Sequence, residues 1–99
     1  MIEELCAELA KLLGKARNES ELATMIGGLL TPQELEEVGR RWELLVGLME
    51  RETQRDISGR LGVSLGKIAR GSRLLKYGPP DFREVATRIH LERKKDAEE

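Results

Sequence analysis

Apolar residues recur at every third or fourth position along most of this chain, which is the spacing of one face of an α-helix. The first amphipathic stretch covers residues 2–13, and a second covers residues 22–29 with Ser20 as its expected amino-terminal cap. Cys6 follows the apolar pattern of the first stretch and is predicted to be a small core residue. The pattern therefore predicts two amphipathic helices before residue 30.

The segment Thr31-Pro32-Gln33-Glu34 is a strong start signal for a third, longer helix. Thr31 can cap this helix, Pro32 stands where no amide donor is needed, and Glu34 can complete a capping box. The apolar stripe that follows runs to about residue 50 and includes Trp42, which we interpret as a core residue. We expect this helix to be the central packing element.

Residues 53–77 predict a short helix, a tight turn and a second short helix. Thr53 and Ser64 are the expected caps, and Gly62 is the expected turn residue. After the break at residues 78–80, a last helix is predicted from near Asp81, with a charged tail that frays. The residues expected to face inward in these helices are Ile57, Leu61, Val63, Leu65, Ile68, Leu75, Phe82, Val85 and Ile89.

Composition supports an all-α fold of about six helices in a single domain over residues 1–99. Aromatic residues are 3% of the chain and charged residues are 35%, a mixture that suits amphipathic helices better than a sheet. A chain of 99 residues buries only a modest core. We therefore expect a dimer.

Positive charge is concentrated in the segment predicted to form the two short helices. Residues 51–76 contain seven Lys and Arg against two Asp and Glu, whereas residues 1–50 contain five against ten. Such a focus is typical of a surface that contacts phosphate. The alternative is a basic surface that is simply solvated.

Several classes of function lack their sequence signals. The single cysteine excludes an internal disulfide, and His90 has no neighbouring Cys or His with which to bind a metal. There is no nucleophilic triad, paired-carboxylate motif or glycine-rich phosphate loop, so we expect no enzyme. With no basic leader and no apolar run of membrane-spanning length, the protein is expected to be soluble and cytoplasmic.

The two short helices suggest binding to double-stranded DNA. The second helix of such a unit can lie in the major groove, with its first turn facing base edges. Gly66 costs about 1 kcal/mol relative to alanine inside a helix, a cost that close approach to DNA would explain. The alternative is a plain helical hairpin in a bundle. The candidate DNA-binding residues are Gln54, Arg55, Ser64, Leu65, Gly66, Lys67 and Arg70.

Three blocks of this sequence resemble the Trp repressor family, over roughly residues 20–90. The central-helix block is Leu29-Leu30-Thr31-Pro32-Gln33-Glu34-Leu35-Glu36 with Gly39 and Arg41, the leading-helix block is Thr53-Gln54-Arg55-Asp56-Ile57 with Leu61-Gly62, and the recognition-helix block is Ile68-Ala69-Arg70-Gly71-Ser72 with Leu75-Lys76. The resemblance implies a transcriptional repressor that forms an intertwined homodimer. Each subunit would then present a helix-turn-helix to one half of a palindromic operator.

The resemblance also implies an aromatic amino acid corepressor, tryptophan in the founding member. Arg41 and Arg70 match the arginines that sandwich the indole ring, as guanidinium planes stack on aromatic faces. Arg70 and Thr31 would meet the ligand carboxylate, and Gly71 would let the ring pack against the helix backbone. The backbone carbonyls near Gly28 and Leu30 of the partner subunit would receive the amino group. The alternative is that Arg41 and Arg70 are ordinary solvated residues and that Thr31 is only a helix cap.

The sequence departs from the family pattern at two places. Leu74 stands where tryptophan-binding members often carry a small residue, serine in the founding member, and a leucine cannot accept a hydrogen bond from the ligand amino group. Residues 50–52 form a connection that is one residue short and lacks a glycine. Tyrosine or a related aromatic is therefore an alternative to tryptophan. A ligand-independent regulator of the same fold, or a helical dimerisation module without DNA binding, also stays open.

Overall fold

Six α-helices form the fold of this protein in a computed structural model, which describes residues 1–98. The described residues contain no β-strand, and this confirms the all-α prediction. The helices are α1 (Ile2–Leu13), α2 (Glu19–Leu29), α3 (Pro32–Met49), α4 (Gln54–Leu61), α5 (Leu65–Tyr77) and α6 (Pro80–Glu98).

Local hydrogen bonds set the starts of α2 and α3. Thr31 Oγ1 accepts from the Glu34 amide at 3.1 Å, and the Glu34 carboxylate accepts from the Thr31 amide at 2.9 Å. This reciprocal pair is the predicted capping box, and its hydrogen bonds hold the pKa of Glu34 below its usual value. The predicted cap of α2 is wrong by two residues, because Asn18 rather than Ser20 caps that helix. Asn18 Oδ1 accepts from the Glu21 amide at 2.9 Å.

The chain divides into two compact units, and the first, Met1–Glu37, has no buried residue. It contains α1, α2 and the first residues of α3. Apolar side chains of α1 are open to solvent in the single chain, with Leu5 58% exposed and Leu9 48% exposed. Cys6 is exposed as well, so its predicted place in a core is not found within the chain.

The second unit begins at Val38 and has a core of its own. Ile57 of α4 and Ile68 of α5 are completely buried and form the centre of this core. Leu44, Leu45 and Val63 complete the buried set. Partly buried residues surround it, namely Trp42, Leu48, Met49, Leu61, Leu74, Leu75 and Phe82.

The last helix packs differently from its predicted pattern. Ala86 is the buried residue of α6, whereas Val85 and Ile89, which were expected to face inward, are 45% and 38% exposed. The charged tail, residues 92–99, was predicted to fray; it is helical to Glu98, and residue 99 lies outside the described residues.

Helix α3 ends in a Schellman motif, in which the residue that follows the C-cap adopts a left-handed conformation. Here the C-cap is Glu50 and the left-handed residue is Arg51. The Glu52 amide donates to the Gly47 carbonyl at 2.9 Å, and the Arg51 amide donates to the Leu48 carbonyl at 3.1 Å. Arg51 has a φ of 63° and is the one non-glycine residue with positive φ among residues 1–98. The short connection without glycine therefore closes at the expense of a strained arginine.

Candidate nucleic-acid interface and ligand residues

The turn between α4 and α5 is held by a glycine and one side-chain hydrogen bond. Gly62 has a φ of 66°, a left-handed conformation that glycine adopts without steric cost. Ser58 Oγ on α4 donates to the Val63 carbonyl at 2.7 Å, across the turn. Thr53 Oγ1 accepts from the Asp56 amide, and Ser64 Oγ accepts from the Lys67 amide, so both predicted caps are confirmed. The helix, tight turn and helix thus follow the predicted boundaries.

Helix α4 packs closely against the end of α3 and forms an ion pair with the connection between the two helices. A Cβ atom at Gly47 would lie 3.0 Å from Ile57 Cγ1, so the glycine lets α4 approach the α3 backbone. Arg60 binds Glu52 with two hydrogen bonds, from Nε at 3.1 Å and from Nη2 at 2.6 Å. Neither contact was predicted from the sequence, because neither the glycine nor the ion pair belongs to a recognisable motif.

The first turn of α5 projects from this framework into solvent. All seven candidate DNA-binding residues, from Gln54 to Arg70, are exposed. The prediction that Leu65 faces inward is wrong, since the side chain is 57% exposed. A Cβ atom at Gly66 would meet only Ser64 Oγ, at 3.8 Å. No packing contact within the described chain therefore explains the glycine at position 66.

The charge of this face is mostly unneutralised. Among residues 1–98, Arg55, Lys67 and Arg70 form no ion pair, and all three side chains are exposed. Arg60 is the exception, because Glu52 binds it. The surface that α4 and α5 present is accordingly basic and solvated.

The candidate ligand residues of the second unit have contrasting surroundings. Arg41 and Arg70 are exposed. A Cβ atom at Gly71 would lie 2.6 Å from Leu44 Cδ2, so the glycine permits close packing of α5 against α3. That packing gives Gly71 a structural reason apart from the ring contact implied by the family. Leu74 is half-buried and packs against the core.

The remaining candidate ligand residues belong to the first unit. Gly28 and Thr31 are exposed, and Leu30 is half-buried. The Thr31 hydroxyl oxygen accepts the capping hydrogen bond from Glu34. Their roles in ligand binding stay predictions.

Comparison with known proteins identifies the family of this chain. The model of the family described as Trp repressor protein matches residues 4–90. The chain belongs to the Trp repressor family. It is 36% identical over 74 residues to a Trp operon repressor homolog of Chlamydia trachomatis, covering 74% of this chain and 79% of that protein. It is 36% identical over 80 residues to the homolog of Pasteurella multocida, covering 79% and 76%.

Membership of the Trp repressor family settles the broad class of function. The relatives are named as repressors and the family is regulatory rather than enzymatic, so the chain is a repressor-like regulator and not an enzyme. None of the described helices is both long and apolar enough to span a membrane. Residues 1–98 also hold no cluster of His, Cys, Asp or Glu suited to a metal ion.

Proposed function

We propose that this protein is a sequence-specific transcriptional repressor that binds an operator in double-stranded DNA through α4 and α5. One observation carries the proposal. The start of α5 is exposed and carries Lys67, and Arg55 is exposed near the start of α4. Ile57, Val63 and Ile68 anchor the same unit in the core. A recognition helix requires this combination, because its base contacts need a fixed orientation. Gly66 supports the proposal, since it leaves room for close approach of DNA.

The proposed regulator is an intertwined homodimer. No residue of the first unit is fully buried, and most apolar side chains on α1 and α2 stay in contact with water in the single chain. Pairing with a second copy would remove that surface from water. A two-fold dimer would also present two α5 helices to a palindromic operator.

DNA binding is tested with a pool of random-sequence duplexes, from which bound fragments are selected and sequenced. The Arg55→Ala, Lys67→Ala double variant should weaken binding by about 1–3 kcal/mol for each base that it no longer contacts. For each phosphate that is no longer neutralised, the slope of log K against log salt should also become shallower by about 0.9. The matched control is Arg93→Ala, Lys95→Ala on α6, which removes the same charge elsewhere. Failure of the wild-type chain to select any duplex would favour a dimerisation module that does not bind DNA, and equal affinity for both variants would mean that DNA contacts another surface.

For the corepressor, we propose an aromatic amino acid, tryptophan or a related one such as tyrosine, held by Arg41 and Arg70. Both guanidinium groups are exposed and unpaired among residues 1–98, so they are available to stack on a ring and to meet a carboxylate. The apolar side chain of Leu74 cannot accept a hydrogen bond from the ammonium group of the ligand, which lowers the expected affinity for tryptophan and tyrosine alike.

A ligand-independent regulator of the same fold is the second candidate. The packing of Gly71 against Leu44 favours it, because a methyl group already occupies the space beside the glycine. Thermal-shift measurements against the twenty amino acids at millimolar concentration separate the two. A corepressor should raise the melting temperature. It should also tighten operator binding by the same factor by which the operator tightens corepressor binding. Arg70→Ala should abolish both effects, and Arg73→Ala on the same helix is the control.

A further inference from the structure

A pocket outside the α4–α5 face lies between the end of α3, the second half of α5 and the start of α6. Its volume is about 380 Å³, within the range of small-molecule sites. Leu48, Met49 and Leu75 form an apolar, partly buried lining. Ser72 and Thr87 also line the pocket, and the Thr87 hydroxyl donates a hydrogen bond to Met49 Sδ at 3.6 Å. The pocket thus combines an apolar surface with hydrogen-bonding groups.

The charged residues of this pocket all carry the same sign. Arg51, Lys76 and Arg83 line it, and no carboxylate does. Within residues 1–98, none of the three forms an ion pair. Three like charges around one cavity repel one another, and a bound anion would offset that repulsion.

The strained backbone of Arg51 is a second, independent observation. The Schellman motif at the end of α3 requires a left-handed residue, and glycine fills that position at no steric cost. Arginine pays a steric cost in this conformation. Its exposed side chain makes no hydrogen bond within residues 1–98 that would offset the strain. What the arginine adds over glycine is a guanidinium group at the pocket. Strain retained at one position is a pointer to function there.

We propose that this pocket binds an organic phosphate. A phosphate monoester carries a charge of about −1.5 to −2 near neutral pH and offers three acceptor oxygens, which matches three cations and the Ser72 hydroxyl. Arg51 and Arg83 can bind phosphate oxygens with paired donors, and Lys76 adds a point charge. The apolar part of the ligand packs on Leu48, Met49 and Leu75. This site does not depend on the DNA-binding or corepressor proposals.

Titration of the full chain with phenyl phosphate, followed by amide NMR shifts, tests the proposal. Phenyl phosphate should bind saturably and shift the amides of Ser72, Leu75 and Thr87. Inorganic phosphate should bind more weakly, because it leaves the apolar wall unused, and phenol should not bind, because it lacks the charge. Absence of saturable shifts with phenyl phosphate, or equal shifts with phenol, overturns the proposal.

Arg51→Gly is the decisive variant, because it removes the guanidinium group and relieves the backbone strain together. It should raise the melting temperature and weaken phenyl phosphate binding at least tenfold. Arg73→Ala, which removes one charge from an exposed position on α5 outside the pocket, should leave binding unchanged. Equal weakening in both variants would show a general charge effect and overturn the site.

The phosphate groups of DNA are another source of the same chemistry. If phenyl phosphate fails to bind while Arg51→Gly weakens duplex binding and lowers its salt dependence, the arginine contacts the DNA backbone and the small-molecule site is refuted. If phenyl phosphate binds and Arg51→Gly leaves duplex binding intact, the pocket is a site of its own.

Discussion

The two units of this chain differ in whether they bury their apolar residues. From Val38 onward, Ile57 and Ile68 are fully enclosed by residues of the same unit. In Met1–Glu37 no residue is buried, although α1 has the apolar stripe of a helix that packs against something. Hydrophobic burial is the main favourable term in folding. The second unit therefore has a source of stability in its own core, whereas the first depends on surface that its own residues do not cover.

That difference matches a division of labour in the proposed repressor. The self-contained core holds α4 and α5 in a fixed geometry, as a DNA-reading surface requires. The open stripe of α1 suits pairing with a second subunit, since exposed apolar area of this kind marks an interaction surface. Substitutions in each unit can test the two halves of this contrast separately.

The largest effect is expected from Ile68→Ala. Removing a fully buried isoleucine leaves a cavity, so the free energy of unfolding should fall by about 2–5 kcal/mol. Urea denaturation at a fixed protein concentration measures the change. Leu65→Ala on the same helix is the control, because that side chain is exposed and its removal should cost no more than about 0.5 kcal/mol. A similar destabilisation in both variants would mean that the second unit has no local core.

A polar substitution in the first unit should act on association instead. Burying a leucine contributes about 1.5–3 kcal/mol, so Leu9→Ser should raise the dimer dissociation constant by about tenfold or more. Sedimentation over a range of concentrations measures it, with Lys11→Ser on the same helix as the control. If the wild-type chain is a folded monomer at micromolar concentration, the exposed apolar residues of the first unit are not explained by dimerisation.

Gly71→Ala tests packing of α5 against α3 inside the second unit. The new methyl group would meet Leu44 Cδ2 at 2.6 Å, and Leu44 is buried with little room to move. Overpacking costs about 1–3 kcal/mol. Alanine has a better helix propensity than glycine by about 1 kcal/mol, and this gain partly offsets the overpacking. We therefore expect a net destabilisation of up to about 2 kcal/mol. Gly66→Ala meets no such obstacle and should gain stability. A stabilised Gly71→Ala would mean that Leu44 moves aside and that α5 does not pack tightly against α3 at this position.

The smallest effect concerns the contacts of Glu50, the residue after α3, with two side chains of α6. Glu50 Oε1 lies 2.8 Å from Lys94 Nζ and 2.8 Å from His90 Nε2. The hydrogen bond from Lys94, and then that from His90, lower the pKa of Glu50 below 4.5. A lowered carboxylate pKa gives stability that is present above pH 4.5 and disappears as the pH falls through the folded-state pKa.

Glu50→Gln should therefore lower the melting temperature near neutral pH and have no effect at strongly acidic pH. Glu50 also raises the pKa of Lys94, and that contribution should disappear as the pH rises above 10.5. Melting curves across pH measure both the loss of stability at acidic pH and the loss at alkaline pH. Glu92→Gln, which breaks a solvent-exposed pair with Arg88 on α6, is the control. Parallel curves for wild type and Glu50→Gln would mean that the cluster does not link α6 to α3.

Helix boundaries were the most predictable part of this protein. The Thr31–Glu34 capping box, the Thr53 and Ser64 caps and the turn at Gly62 each involve residues within a few positions of one another, so the local sequence contains the whole interaction. Asn18 was missed because two polar residues near the start of α2 compete for the same role, and spacing alone does not choose between them.

The direction in which each helix face points was decided only by tertiary structure. Leu65 fits an apolar stripe yet is exposed, whereas Ile68, three positions further along α5, is fully buried. The packing role of Gly71 and the pocket beside Arg51 likewise depend on residues of α3, α5 and α6 that lie far apart in the chain. By itself the sequence determined the six helices, most of their caps and the family. Which faces meet was left to the tertiary structure, because a helical stripe records that a face is apolar and not what covers it.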